Sequence, residues 1–177
     1  GSLGRRRLEA MRQGMLAHRA ALERLLAPLT GSSLGTRRET LLALRTRLPM
    51  AQDLTEYGFE SLSTPTEVEQ VFENHQGTAL LVVNSVCGCA AAMARPGAKR
   101  SLENGKRPEK LYTVFAGVDT EATLKAREYL LPYPPSSPSI ALFKDGKLVH
   151  FLERRHIEGR SAQIIADNLR SAYDMYC

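Results

Sequence analysis

The sequence predicts an α/β fold with an N-terminal helical extension, and three observations carry that expectation. Two apolar runs of strand length, Thr78 to Asn84 and Leu111 to Ala116, are each followed by a stretch that favours helix. Two further apolar runs flank Asp145-Gly146, a hairpin-turn dipeptide. Helical periodicity occupies both ends of the chain.

At the N-terminus, Gly1-Ser2 has the look of a tag remnant. Leu8, Met11, Met15, Leu22, Leu25, Leu26 and Leu29 then recur at roughly helical spacing, with a basic opposite face. The segment from Thr30 to Gly35 breaks that helix. Thr36-Arg37-Arg38-Glu39 has capping-box spacing and opens a second helix that runs to about Leu48, before Pro49. Residues 1–49 are therefore expected to be a basic helical arm, and residues 50–177 the main domain.

Within that domain, Thr64-Pro65 marks a helix start, with Val68, Val71 and Phe72 on its apolar face and its end near Asn74. The run Thr78 to Asn84 is continuously apolar, as suits a strand buried on both faces. Cys87 follows directly, and Ala90 to Ala94 favour helix until Pro96 bends or ends its first part. After the second strand, Asp119 or Thr120 can cap a helix from Glu121 to Leu130. The hairpin pairs Ile140 to Phe143 with Leu148 to Leu152, and a last helix from about Ser161 to Tyr176 offers Ile164, Ile165, Leu169, Ala172 and Tyr173 to the core. Strand, helix, strand and helix at this spacing imply parallel strands joined by crossovers. With the hairpin and final helix added, the order is the thioredoxin arrangement.

Charge is divided unevenly. Residues 1 to 47 hold ten Arg and three Glu for a net of +7, while the remainder holds fourteen basic residues against sixteen acids. The basic balance thus belongs to the arm. The arm lacks aromatic residues and any nucleic-acid motif, which weighs against DNA or RNA binding. Its candidate roles are homo-oligomerisation, partner docking or attraction to an anionic surface; the other readings are an unordered extension, an organellar transit peptide, or a start site misplaced upstream of Met50. No run reaches the roughly eighteen apolar residues needed to cross a bilayer, and no secretory signal block is present. A cytoplasmic location without membrane contact is expected.

Three cysteines are too few for a disulfide framework, and Cys87 and Cys89 are one residue apart. A cysteine after a strand and at a helix N-terminus has its thiolate stabilised by free N–H groups and by the helix dipole, so Cys87 is the candidate nucleophile. Gly88 would give the backbone freedom for two sulfurs to face one partner or bond each other, and a bond closing so small a ring suits exchange. The alternatives are two small buried hydrophobes, or a zinc or cluster site shared between chains; two thiolates do not complete a zinc site, and His75, His150 and His156 are not placed by sequence to help. No resident metal or cofactor is expected. Pro138 is a candidate cis-proline just before the hairpin. Cys177 is either an incidental tail thiol or a candidate resolving sulfur, depending on where the last helix ends.

The stretches Val83-Asn84-Ser85-Val86-Cys87-Gly88-Cys89-Ala90-Ala91, Ala94-Arg95-Pro96, Val114-Phe115-Ala116-Gly117, Tyr133-Pro134-Pro135-Ser136-Ser137-Pro138-Ser139 and Tyr176-Cys177 resemble the bacilliredoxins over roughly residues 54 to 177. The resemblance implies a thiol-disulfide oxidoreductase that removes bacillithiol, or a similar low-molecular-weight thiol, from mixed disulfides on oxidised cytosolic proteins. It makes Cys87 the nucleophile and Cys89 its partner, with Asn84, Gly88, Ser137 and Pro138 as substrate-binding candidates, and a terminal cysteine is a recurrent feature of such chains. Ala92 stands where the family pattern has Gly, and His156 is displaced by one position, which leaves a solvated loop as its expected setting. The arm has no counterpart in that pattern. A metal-binding module and a docking protein on the same scaffold are the competing readings.

Overall fold

Alternating side chains along one central strand divide the core into two layers. We describe residues 49–73 and 75–177 of the protein from a computed structural model; the helices expected between 5 and 48, and Asn74, lie outside the described residues. Helix α1 covers 49–55, followed by strand β1 (Glu60–Ser61), α2 (Pro65–Phe72) and β2 (Thr78–Asn84). A π-helical turn (Ala90–Ala94) runs into α3 (Arg95–Ser101), then β3 (Lys110–Phe115) and α4 (Thr120–Glu128). The hairpin is β4 (Ser139–Lys144) and β5 (Lys147–Leu152), and α5 (Arg154–Ile157) and α6 (Ala162–Tyr176) close the chain.

The sheet order is β1-β3-β2-β4-β5. β2 pairs parallel with β3, which pairs parallel with β1, while β4 runs antiparallel to both β2 and β5. This is the thioredoxin arrangement. Every residue of β2 is buried: Leu80 and Val82 join the core under α3 and α6, and Ala79, Leu81 and Val83 join the one under α2 and α4. Fully burying a Leu or Val side chain contributes about 1.5–3 kcal/mol, so β2 anchors both layers. Its unbroken apolar run follows from having no solvent face.

Local chemistry sets the element ends. Glu67 N–H donates to Thr64 Oγ1 at 3.2 Å while Thr64 N–H donates to Glu67 Oε2 at 3.0 Å, a capping box with Pro65 in the first turn of α2. Asp145 and Gly146 both adopt positive φ, 49° and 73°, as the two-residue hairpin turn requires. Arg95 N–H bonds Ala90 O, the wider π winding, where Pro96 would otherwise crowd an α turn; Pro96 therefore ends the first part of the helix without breaking it.

Several elements differ from expectation. β1 is two exposed polar residues, too short to show a period. α5 was not anticipated either, and His156 lies on it: exposed, but on a helical turn where its Nδ1 accepts Glu153 N–H at 3.2 Å. In α6 the buried stripe is Ile165, Ala166, Leu169, Ala172 and Tyr173, while Ile164 is 55% exposed. One residue of offset turns a side chain by about 100° around the axis, which carries Ile164 off the core face. Among the described residues, no helix is long and apolar enough to cross a membrane.

Candidate active site

Cys87 follows the buried end of β2 by three residues and immediately precedes the helical turn that opens at Gly88. Its sulfur occupies the place of a capping oxygen. Cys87 Sγ accepts the Ala90 N–H at 3.3 Å, and Cys87 O accepts the N–H groups of Ala90 and Ala91 at 3.1 and 3.2 Å. A second donor, the Ser85 hydroxyl, reaches the same sulfur at 3.2 Å. Donors aimed at a sulfur favour its thiolate once the pair is reduced.

Cys87 and Cys89 are bonded as a disulfide with their Cα atoms 5.4 Å apart. Cys87 is half-buried and Cys89 is only 8% exposed. An incoming group therefore meets Cys87 first. Gly88 is exposed, lacks a positive φ, and has nothing within 4 Å of the place where a Cβ would stand. Its contribution is an open approach to the pair, and the special backbone freedom expected of it is not used in this state.

The turn beneath the pair is held from inside. Asn84 is 1% exposed; its Oδ1 accepts Ser85 N–H at 2.8 Å and its Nδ2 donates to Met50 O at 3.1 Å. Asn84, a substrate-binding candidate, is thus buried beneath the turn and supports it. Arg95, Ala94 and Pro96 belong to the same motif, and the Arg95 guanidinium donates to Asn84 Oδ1 at 3.1 Å and to Ser85 O at 3.3 Å.

The Ser137–Pro138 bond is cis, as expected, and Leu131–Pro132 is cis as well. Ser139, the first residue of β4, pairs with Val83, so Pro138 sits just before β4 begins, at the pole of the sheet where β2 delivers the chain to Cys87. Pro138 is buried and Ser137 half-buried. The proline loop is tied down by Arg154 N–H donating to Ser136 Oγ at 2.7 Å and Ser139 Oγ donating to Ser136 O at 3.0 Å. Val86, next to Cys87 in the chain, is exposed at this pole.

Cys177 is elsewhere. Lys144 Nζ donates to Tyr176 O at 2.7 Å, and Lys144 pairs with Thr78, the first residue of β2. The last helix thus ends at the start of β2, and a seven-residue strand separates it from the pair, a distance of about 20 Å at ~3.3 Å per residue. The structure does not bring Cys177 to Cys87 or Cys89 within one chain, contrary to the resolving role considered for it. Burial pushes its thiol above the ordinary value. Among the described residues, no group of three or more His, Cys, Asp or Glu is placed to hold a metal ion.

Ser85 was not singled out by sequence. A serine two residues before a cysteine carries no spacing signal, and its role comes from the turn that folds its hydroxyl back onto the sulfur.

A Disulphide isomerase family model matches residues 45–177. A bacilliredoxin of Cytophaga hutchinsonii is 62% identical over 126 residues, covering 71% of this chain and 93% of the relative. One from Halalkalibacterium halodurans is 56% identical over 129 residues, covering 73% and 90%. Among solved structures, Fasciola hepatica thioredoxin aligns over 67% of this chain and all of its own at 20% identity, with a TM-score of 0.46. The relatives' identity and coverage, together with a bonded Cys-Gly-Cys pair at the strand–helix junction, settle the matter: the chain belongs to the bacilliredoxin family, with a role of the thiol–disulfide oxidoreductase type.

Proposed function

We propose that this protein removes bacillithiol, or a similar low-molecular-weight thiol, from mixed disulfides on oxidised cytosolic proteins, with Cys87 as the nucleophile and Cys89 as its partner. The supporting observation is the asymmetry of the pair: the Cys87 sulfur is the more accessible and receives both the Ala90 N–H and the Ser85 hydroxyl, while Cys89 is almost covered. Ser137, Pro138 and the open space above Gly88 are the places where a client chain would lie.

The Cys87 thiolate attacks the small-thiol sulfur of the client's mixed disulfide. A new bond forms between Cys87 and the small thiol, the old bond breaks, and the client sulfur leaves as a thiolate that solvent protonates. The Cys89 thiolate then attacks Cys87 Sγ, releasing the small thiol reduced and leaving the Cys87–Cys89 disulfide seen here. Two electrons have passed from the pair to the mixed disulfide. An external dithiol or two small-thiol molecules must return them before the next cycle.

Intact-protein mass spectrometry after incubation with different low-molecular-weight disulfides tests this reading. Cys87→Ser is expected to abolish transfer, while Cys89→Ser accepts the small thiol and accumulates as a stable adduct. The reverse pattern would assign the nucleophile to Cys89.

A further inference from the structure

Among the described residues Arg95 is the least exposed charged residue at this pole: its side chain is 5% exposed, against 19% for Lys99 one turn on, while Arg100 is exposed. A buried cation is costly without partners. Its partners are specific. Nε donates to Asp53 Oδ2 at 2.9 Å, and one terminal nitrogen reaches both Asn84 Oδ1 at 3.1 Å and Ser85 O at 3.3 Å. These last two acceptors begin the turn that ends at Cys87, and Ser85 itself donates to the Cys87 sulfur.

Asp53 does not neutralise the group fully, because it is shared. Its other oxygen accepts Lys99 Nζ at 2.6 Å, so two cations, Arg95 and Lys99, meet one carboxylate. Lys99 also lies over the Tyr57 ring at 4.7 Å. Across the proline loop, Glu153 is paired with Arg155 and Glu158 with Arg154. Those groups balance one another. Among the described residues, the two cations of α3 thus share one carboxylate beside the Cys87 turn.

We propose that Arg95 is a positioning residue for Cys87, gripping the turn through Asn84 and Ser85 and leaving an incompletely neutralised cation one residue removed from the nucleophilic sulfur. This rests on the reading of Cys87 as nucleophile. Asp53, from the α1 segment, is the counterweight that sets how much of that charge the sulfur feels.

The test uses the full chain with Cys89→Ser and Cys177→Ser, so that Cys87 is the remaining thiol. The pH midpoint of its alkylation by iodoacetamide is measured together with thiolate ultraviolet absorbance. Arg95→Met should raise the midpoint by about one pH unit, slowing alkylation below it about tenfold. Asp53→Asn should move it the opposite way, because the cations lose their carboxylate. A purely structural role gives no reason for shifts of opposite sign. A folded Arg95→Met with the parent's midpoint, or an Asp53→Asn midpoint that stays or rises, would overturn the proposal; if Arg95→Met fails to fold, Asp53→Asn decides alone. A parent Cys87 no more reactive than an ordinary thiol would instead overturn the nucleophile assignment, and this role with it.

Discussion

The Ser85 hydroxyl stands 3.2 Å from the Cys87 sulfur and donates to it across the exposed Val86. A net hydrogen bond to a charged acceptor contributes about 1.5 kcal/mol or more, which is about one pH unit of thiolate stability. Ser85→Ala is therefore expected to raise the Cys87 alkylation midpoint by about that amount, with little change in thermal stability. An unchanged midpoint would show that the Ala90 N–H suffices.

Gly97 packs against α6 so closely that a Cβ would stand 2.6 Å from Ile165 Cγ2 and 2.8 Å from Ile165 Cβ. Ile165 is buried, and both atoms belong to the stiff base of its side chain. Gly97→Ala gains up to about 1 kcal/mol of helix propensity but overpacks at about 1–3 kcal/mol. The expected result is a lower urea midpoint. A midpoint at or above the parent's would mean the α3–α6 contact gives way easily.

Tyr173 is fully buried with its hydroxyl 2.8 Å from Ser101 Oγ, which also donates to Ala98 O at 2.6 Å. Ser101 has one hydroxyl proton, so Tyr173 is the donor of the pair. Tyr173→Phe removes that donor and leaves Ser101 its bond to the helix, so a loss of about 1 kcal/mol is expected, or roughly 2–4 °C in Tm. A loss above about 3 kcal/mol would point to wider repacking.

Burial pushes the Asp53 carboxyl up, but Lys99 and then Arg95 outweigh it, and the net position is below the ordinary value of 3.8. A depressed carboxylate stabilises the fold above its unfolded pKa and loses that contribution as pH falls through the folded one. Urea midpoints measured from pH 6 downwards should therefore drop near and below about pH 4, and drop less steeply in Asp53→Asn. Equal slopes would show that other carboxylates govern acid unfolding.

Because Cys177 lies at the opposite end of β2, Cys177→Ser should leave closure of the Cys87–Cys89 bond and release of the small thiol unchanged. Accumulation of a Cys87 adduct in that variant, read by mass spectrometry, would require a second chain to supply the sulfur.

The strands that were legible share one property: burial on both faces writes an unbroken apolar run into β2, and Asp145-Gly146 writes the hairpin. β1 left no trace because two exposed polar residues, Glu60 and Ser61, carry no period. At the site, the cysteine pair and Pro138 were readable from their place between elements. Arg95 was part of a quoted motif, yet an arginine beside a helix start reads as solvated; its burial depends on Asp53, forty-two residues earlier. Ser85 was not singled out and Asn84 was read only as a substrate-binding candidate for a related reason, since their bonds follow from the path of the turn.

The wide separation of Cys177 from the pair gives the chain a built-in reference for thiol counting. With three cysteines in all, the bonded state offers a single free sulfhydryl, and full reduction offers three. A maleimide label at the C-terminus would ride some 20 Å from the exchange chemistry, the length of β2. Mass-shift titration could then score each molecule as oxidised or reduced against its own bystander, with no added tag.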